Sequence, residues 1–202
     1  MSGSSESPNP PWFSPSRCPQ SMTWMIAFSK DENFEEFLRL VEDPDYSDVV
    51  FDAASGGLGA IHKEHRFDKQ VGPLGCPRGD YEKAVLRIMT ANGYRLILTS
   101  EFPSQEHSKC FDGLLNGAPA EIKAVESTGR WAIRTKLHDS AQKGTPLSIL
   151  YFPDTLVFSQ DRVVNGWKQF LQDGGCIGLH HIVEQVICVV GNDRIEILKP
   201  PG

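Results

Sequence analysis

Phe-Asp-Gly-Leu-Leu-Asn-Gly-Ala-Pro-Ala-Glu-Ile-Lys, residues 111–123, is the stretch on which the fold turns. Asn116-Gly117 between apolar residues is a strong hairpin signal, because both central positions of a type I′ turn need positive φ. With those two as the loop, Leu115 faces Ala118, and counting back sets Asp112 opposite Glu121. Opposed Cβ atoms on one sheet face lie roughly 5 Å apart. Lys123 projects from the same face as Glu121, since side chains alternate along a strand. Phe111, Gly113, Leu115, Ala120, Ile122 and Ala124 form the apolar underside. Two carboxylates and an ammonium therefore converge on one spot. The alternative is a solvated hairpin face with a cross-strand Glu/Lys pair. Like charges placed opposite each other destabilise a sheet, and Asp is a poor strand former. A hard cation resolves that conflict, because Mg²⁺ takes one or two carboxylates plus phosphate oxygens.

The elements on either side extend this into an α/β (α+β) pattern. Asp80 to Asn92 reads as a helix with Val85, Ile88 and Met89 on its apolar stripe, closed by Gly93. Tyr94 to Thr99 reads as a strand, and the hairpin covers 110–125. Arg130 to Lys143 is a second helix stopped by Gly144, and Leu147 to Phe152 is a continuous apolar strand of the kind buried on both faces. The order from residue 79 is thus αβββαβ. An extra N-terminal helix is expected at Asp31–Val41. A further helix at Asp161–Leu171 precedes a C-terminal hairpin, Val186–Val190 with Arg194–Leu198. Residues 1–21 have the Ser/Pro composition of a flexible tail, and Trp24 to Phe28 suits a short strand. Residues 22–78 read as an acidic N-terminal segment and connector, with the Gly-rich Ser55–Ala60 as a flexible loop, and 79–202 as the main domain. That loop lacks the Gly-Lys-Ser/Thr of a P-loop.

Composition narrows the class. The chain has 202 residues, 40% hydrophobic and 23% charged, ordinary values for a globular protein with a full core. No apolar run reaches membrane-span length, and no signal-peptide pattern is visible, so no membrane association is expected. Five cysteines without a Cys-x-x-Cys pair point to reduced thiols. The net charge is −6, but residues 61–145 carry 13 Lys/Arg against 10 Asp/Glu while both flanks are acidic. A locally basic middle suits a protein that meets phosphate at one face.

The arrangement of Asp112, Glu121-Ile122-Lys123 and a helix carboxylate, Glu82 in Tyr81-Glu82-Lys83, resembles the PD-(D/E)xK nuclease superfamily. More narrowly, the run from Tyr81 to Phe152 resembles the C-terminal nuclease toxin domains of contact-dependent growth inhibition and other polymorphic toxin systems. The features carrying the likeness are Gly-Tyr-strand, Asp-Gly-x-x-x-Gly-x-x-x-Glu-Ile-Lys, a helix ending Ala-Gln-Lys-Gly, and Leu-Tyr-Phe. One departure is Phe111 where the motif name has Pro. The resemblance implies a restriction-endonuclease-like core with a mixed central sheet, and a metal-dependent endonuclease of bacterial origin acting in the cytoplasm, after delivery into a target cell. It implies tRNA or DNA as substrate and a cognate immunity protein as partner. Asp112, Glu121 and Glu82 would hold Mg²⁺ or Mn²⁺, with Zn²⁺ the poorer match, and the Ile122 carbonyl is a further candidate ligand. Lys123 would orient the attacking water or stabilise the developing charge.

Other residues admit two readings each. Glu82 borders the apolar stripe of its helix, where an unpaired carboxylate is costly, yet Lys83 or Arg87 could pair with it. Arg130, Trp131 and Arg134 could contact phosphates and stack a base, or form a basic face with Trp131 in the core. Gln142 could face the site or solvent. His62 and His65 could serve a metal-independent, barnase-like ribonuclease as acid and base, or lie in a surface loop. His180-His181 with Cys176 and Cys188 fits no common zinc spacing. A non-catalytic, nuclease-fold binding module is the remaining alternative, disfavoured by the intact Asp/Glu/Lys set.

Overall fold

The computed structural model describes residues 28–100, 110–172, 178–179 and 182–201. The tail 1–21, most of the Trp24–Phe28 strand, Cys18, Cys176 and the His180-His181 pair lie outside the described residues. Among the described residues four α-helices accompany eight strands: α1 Lys30–Glu42, β1 Tyr46–Phe51, β2 Leu58–His62, α2 Gly79–Ala91, β3 Arg95–Leu98, β4 Gly113–Leu115 and β5 Ala118–Ala124 come first. Then follow α3 Ala132–Gln142, β6 Leu147–Phe152, α4 Gln160–Gln172, β7 Gln185–Val190 and β8 Arg194–Leu198. The αβββαβ order is present as α2-β3-β4-β5-α3-β6, with the added N-terminal helix and C-terminal hairpin in place.

All eight strands form one mixed sheet in chain order. β2/β3, β5/β6 and β6/β7 are parallel, while the remaining neighbours are antiparallel. Alternation along β6 shows how both faces are covered. Leu147, Ile149 and Tyr151 join the cluster beneath α2, which includes Val85, Leu86 and Met89. Leu150 and Phe152 join the cluster beneath α3 and α4, with Leu137, Trp167 and Phe170. Each fully buried large side chain contributes roughly 1.5–3 kcal/mol relative to exposure, so the continuous Leu-Ser-Ile-Leu-Tyr-Phe run is explained by burial on two sides. α1 packs separately over Leu58, Ala60 and Ile97.

The Gly-rich segment is a correction. Residues 58–60, read from composition as part of a flexible connector, belong to β2, and β1–β2 continue the sheet that residues 79–202 build. The glycines are there for proximity. A Cβ at Gly57 would stand 1.9 Å from the Thr90 carbonyl oxygen, and one at Gly59 2.6 Å from Thr90 Oγ1. They let the end of α2 lie directly on the sheet, a use of glycine that composition does not distinguish from flexibility. Among the described residues Cys76, Cys110 and Cys188 form no disulfide with one another, and no helix is long and apolar enough to cross a membrane.

Candidate active site

The turn positions the candidate residues. Asn116 (φ 48°) and Gly117 (φ 82°) both adopt the left-handed conformation, and Leu115 pairs with Ala118 and Gly113 with Ala120. Asn116 is further fixed by its Oδ1, which accepts from Arg95 N at 2.9 Å. The two-residue register is the one expected, and the ladder stops one residue short of Asp112. Asp112 then turns its side chain back toward β5, where Oδ2 accepts from the Ile122 backbone N–H at 2.7 Å. A side-chain oxygen thus stands in for the strand carbonyl that a continued ladder would have offered.

Glu121 is wholly buried. Its Oε1 is paired with the Lys123 ammonium and with Lys143 Nζ at 2.6 Å. Lys143 Nζ also reaches Asp112 Oδ1 at 3.3 Å, so one ammonium bridges the two carboxylates. Among the described residues Glu121 Oε2 is buried with no hydrogen-bond partner. Burial pushes the Glu121 carboxyl above the usual carboxylate range, and the nearby Asp112 charge adds to this, while Lys123 and Lys143 pull the other way. For Lys143, burial works against the charged form, but Asp112 and the hydrogen bond to Glu121 outweigh it and hold the ammonium above its ordinary value. Two carboxylates and two ammoniums sum to zero, which is how the sheet tolerates them.

Lys143 is the residue that the sequence reading missed. It follows the last turn of α3, and Gly144 (φ 76°) reverses the chain immediately after it. A helix-terminal Lys before Gly is also an ordinary capping pattern. Only the crossover, which returns α3 beside β5 before β6 begins, brings that ammonium to Glu121. Its neighbour Gln142, the residue singled out from the sequence, is exposed and lies 3.5 Å from His138 Nε2.

Glu82 is not brought into this cluster. Its helix covers the opposite sheet face, and Oε2 bonds His65 Nε2 at 2.8 Å. Neither Lys83 nor Arg87 is the partner in that bond. His65, expected in a surface loop or as a catalytic base, has a fully buried side chain. Its Nδ1 bonds the Thr99 carbonyl at 2.8 Å and its ring meets Phe67 edge-on. With both ring nitrogens occupied, His65 pins the 63–78 segment to α2 and the end of β3. His62 ends β2, stacked edge-on against Tyr46, and its Nδ1 accepts from Glu64 N. Among the described residues no group of three or more His, Cys, Asp or Glu side chains is placed to hold a metal. The paired oxygens of Asp112 and Glu121 nonetheless suit a hard cation, and the orphaned Glu121 Oε2 is an uncompensated buried acceptor of the kind that such an ion satisfies.

Trp131 is not in the core. It is 51% exposed, flanked by the Arg130 and Arg134 guanidiniums at 4.8 and 5.8 Å from its ring. It precedes the first turn of α3, at the far end of that helix from Lys143.

No protein-family model and no curated protein matches the chain. A solved structure, the CdiA-CT/CdiI toxin and immunity complex from Burkholderia pseudomallei, is similar at 16% identity and a TM-score of 0.48. The match covers 69% of this chain and 98% of that one. At that level the likeness carries no argument about activity.

Proposed function

We propose that the protein is a metal-dependent nuclease whose site is Asp112, Glu121 and Lys123, with Lys143 completing its charge balance. The observation that carries this reading is Glu121. It is a fully buried carboxylate on a strand, its Oε1 is shared with two ammoniums and its Oε2 is unpartnered among the described residues. Such an arrangement costs stability and has no packing rationale. Asp112 and Glu121 would hold Mg²⁺ or Mn²⁺, with remaining ligands from water and substrate phosphate. A bound ion of this kind polarises a phosphoryl oxygen and makes a water molecule nucleophilic. The chain's own residues do the rest. The backbone N–H of Ile122 orients Asp112. Lys123, still partly exposed, can place an ammonium where negative charge develops on the phosphate. Lys143 holds the two carboxylates together until a cation competes for them. The layout of residues 81–152 further supports a toxin effector domain of bacterial competition, with an immunity protein as its inhibitor.

Purified protein is incubated with total tRNA and with plasmid in Mg²⁺, Mn²⁺ or EDTA. Cleavage should need the metal and be lost in Asp112→Asn and Lys123→Ala, with circular dichroism unchanged. Full activity in EDTA, or in either variant, sinks the assignment.

A further inference from the structure

The head of α3 and the middle of α4 approach closely, at a point where Gly166 has no side chain. A Cβ there would stand 2.5 Å from Ile133 Cβ. The groove that opens beside this contact holds about 180 Å³ and is lined by Arg130, Ile133, Arg162, Asn165, Gly166 and Gln169. Its chemistry is unusual for an acidic protein: two guanidiniums, two side-chain amides, an apolar floor, and no carboxylate among its described lining residues. Arg162 is committed, since it donates to the Val157 and Ser127 carbonyls. Arg130 is not; among the described residues its contact is the Trp131 ring. Among the described residues the Gln169 Oε1 is buried without a hydrogen-bond partner, so that acceptor is left for a ligand. Half-exposed Trp131 follows Arg130 in the chain and adjoins the groove through it, the Arg130 guanidinium lying 4.8 Å from the Trp131 ring.

We infer that this groove is a subsite for one unpaired nucleobase of a single-stranded or looped nucleic acid. The Trp131 ring offers a stacking face, the Asn165 and Gln169 amides offer both donors and acceptors to a base edge, and Arg130 meets the adjoining phosphate. A duplex does not fit, because its bases are already stacked and the groove admits a single ring system. The choice of polymer rests on the nuclease reading above. The twelve steps from Trp131 to Lys143 span roughly 18 Å of helix axis at 1.5 Å per residue. That is on the order of five stacked nucleotides at 3.4 Å each. Arg134, His138 and Gln142 succeed one another at four-residue intervals between the two places, along one ridge of α3. A single strand lying on that ridge would join the base subsite to the carboxylates.

The test measures binding without cleavage. The full chain carrying Asp112→Asn, in EDTA, is titrated by fluorescence anisotropy into a labelled single-stranded oligonucleotide, as RNA and as DNA, and into the blunt duplex of the same sequence. The single strand should bind at least tenfold more tightly than the duplex. Adding Trp131→Ala should weaken the single strand by roughly ten- to a hundredfold, with Trp131→Phe restoring most of it and the melting temperature unmoved in both. Equal affinity for duplex and single strand, or no effect of Trp131→Ala, overturns the inference. The two readings fail separately. Trp131-dependent binding without cleavage in any metal leaves the subsite standing and removes the nuclease, whereas metal-dependent cleavage with no Trp131 contribution does the reverse.

Discussion

Lys143→Met should convert the site from a self-neutralised cluster into one that depends on a cation. In the wild-type chain one Lys143 ammonium lies 3.3 Å from Asp112 Oδ1 and 2.6 Å from Glu121 Oε1. Methionine keeps the length and apolar stem but leaves two carboxylates facing only Lys123. Removing one partner of a fully buried ion pair costs about 3–5 kcal/mol. The Lys143 side chain is 33% exposed, so screening reduces this to about 1–3 kcal/mol. For a chain of this size each kcal/mol moves the melting temperature by about 2–4 °C, so the variant should melt about 2–12 °C lower in EDTA at neutral pH. Mg²⁺ or Mn²⁺ should return that loss, because an ion at a hundred times its dissociation constant stabilises by about 2.7 kcal/mol. The wild-type shift should be smaller, since there the ammonium competes for the same oxygens. Acid gives an independent check. The Glu121 carboxyl is already raised in the folded chain by burial and by Asp112, so its protonated form is the one that folding favours. Loss of Lys143 raises it further, so the deficit of the variant should be largest at neutral pH and shrink as pH falls through the folded value for Glu121. Differential scanning calorimetry over pH, with and without metal, reads all of this. Equal metal-induced shifts in the two proteins, or a deficit that grows in acid, would refute the reasoning.

Two further substitutions probe the frame around the site. Asn116→Ala loses the residue best suited to φ 48° and the acceptor for Arg95 N, and should destabilise by about 2–3 kcal/mol; urea unfolding that shows no change would mean the turn is not what sets the register. His65→Gln removes a side chain held between Thr99 O and Glu82 and should lower the urea midpoint by an amount equivalent to about 1–3 kcal/mol. Its cleavage rate per folded molecule should persist, and loss of cleavage at full stability would instead make His65 part of the chemistry.

Much of this was legible in the chain because the informative signals are local. Asn116-Gly117 specifies its turn through backbone sterics alone, and once that turn is given, pairing by twos carries the register as far as Ala120, beside Glu121, without reference to anything distant. The run Leu147–Phe152 announces a doubly covered strand, and Gly93 and Gly144 end their helices with the positive φ that a C-terminal cap requires. β2 was not legible for the opposite reason. Gly57 and Gly59 are glycines because Thr90 lies against them, and nothing within residues 55–60 records the approach of a helix thirty residues later in the chain.

The same distinction separates the parts of the site. Asp112, Glu121 and Lys123 share one hairpin, so strand geometry brings them near one another, and the Asp112 side chain closes onto the Ile122 N–H just past the end of the ladder. Glu82 belongs to α2 on the other sheet face, and helical spacing could say only that its carboxylate needed a partner. The choice among Lys83, Arg87 and His65 depended on where the 63–78 segment closes, and closure put the His65 ring between Glu82 and Thr99. Lys143 is the converse case, a residue with an ordinary helix-end role in sequence and a central one in space. A buried carboxylate pair requires positive charge from somewhere, and Lys123 alone leaves the balance at minus one. Counting charge over the hairpin therefore demands a further cation. In this structure that place is taken by an ammonium carried in on the crossover helix, and on the proposed reaction it is the place that a divalent ion contests.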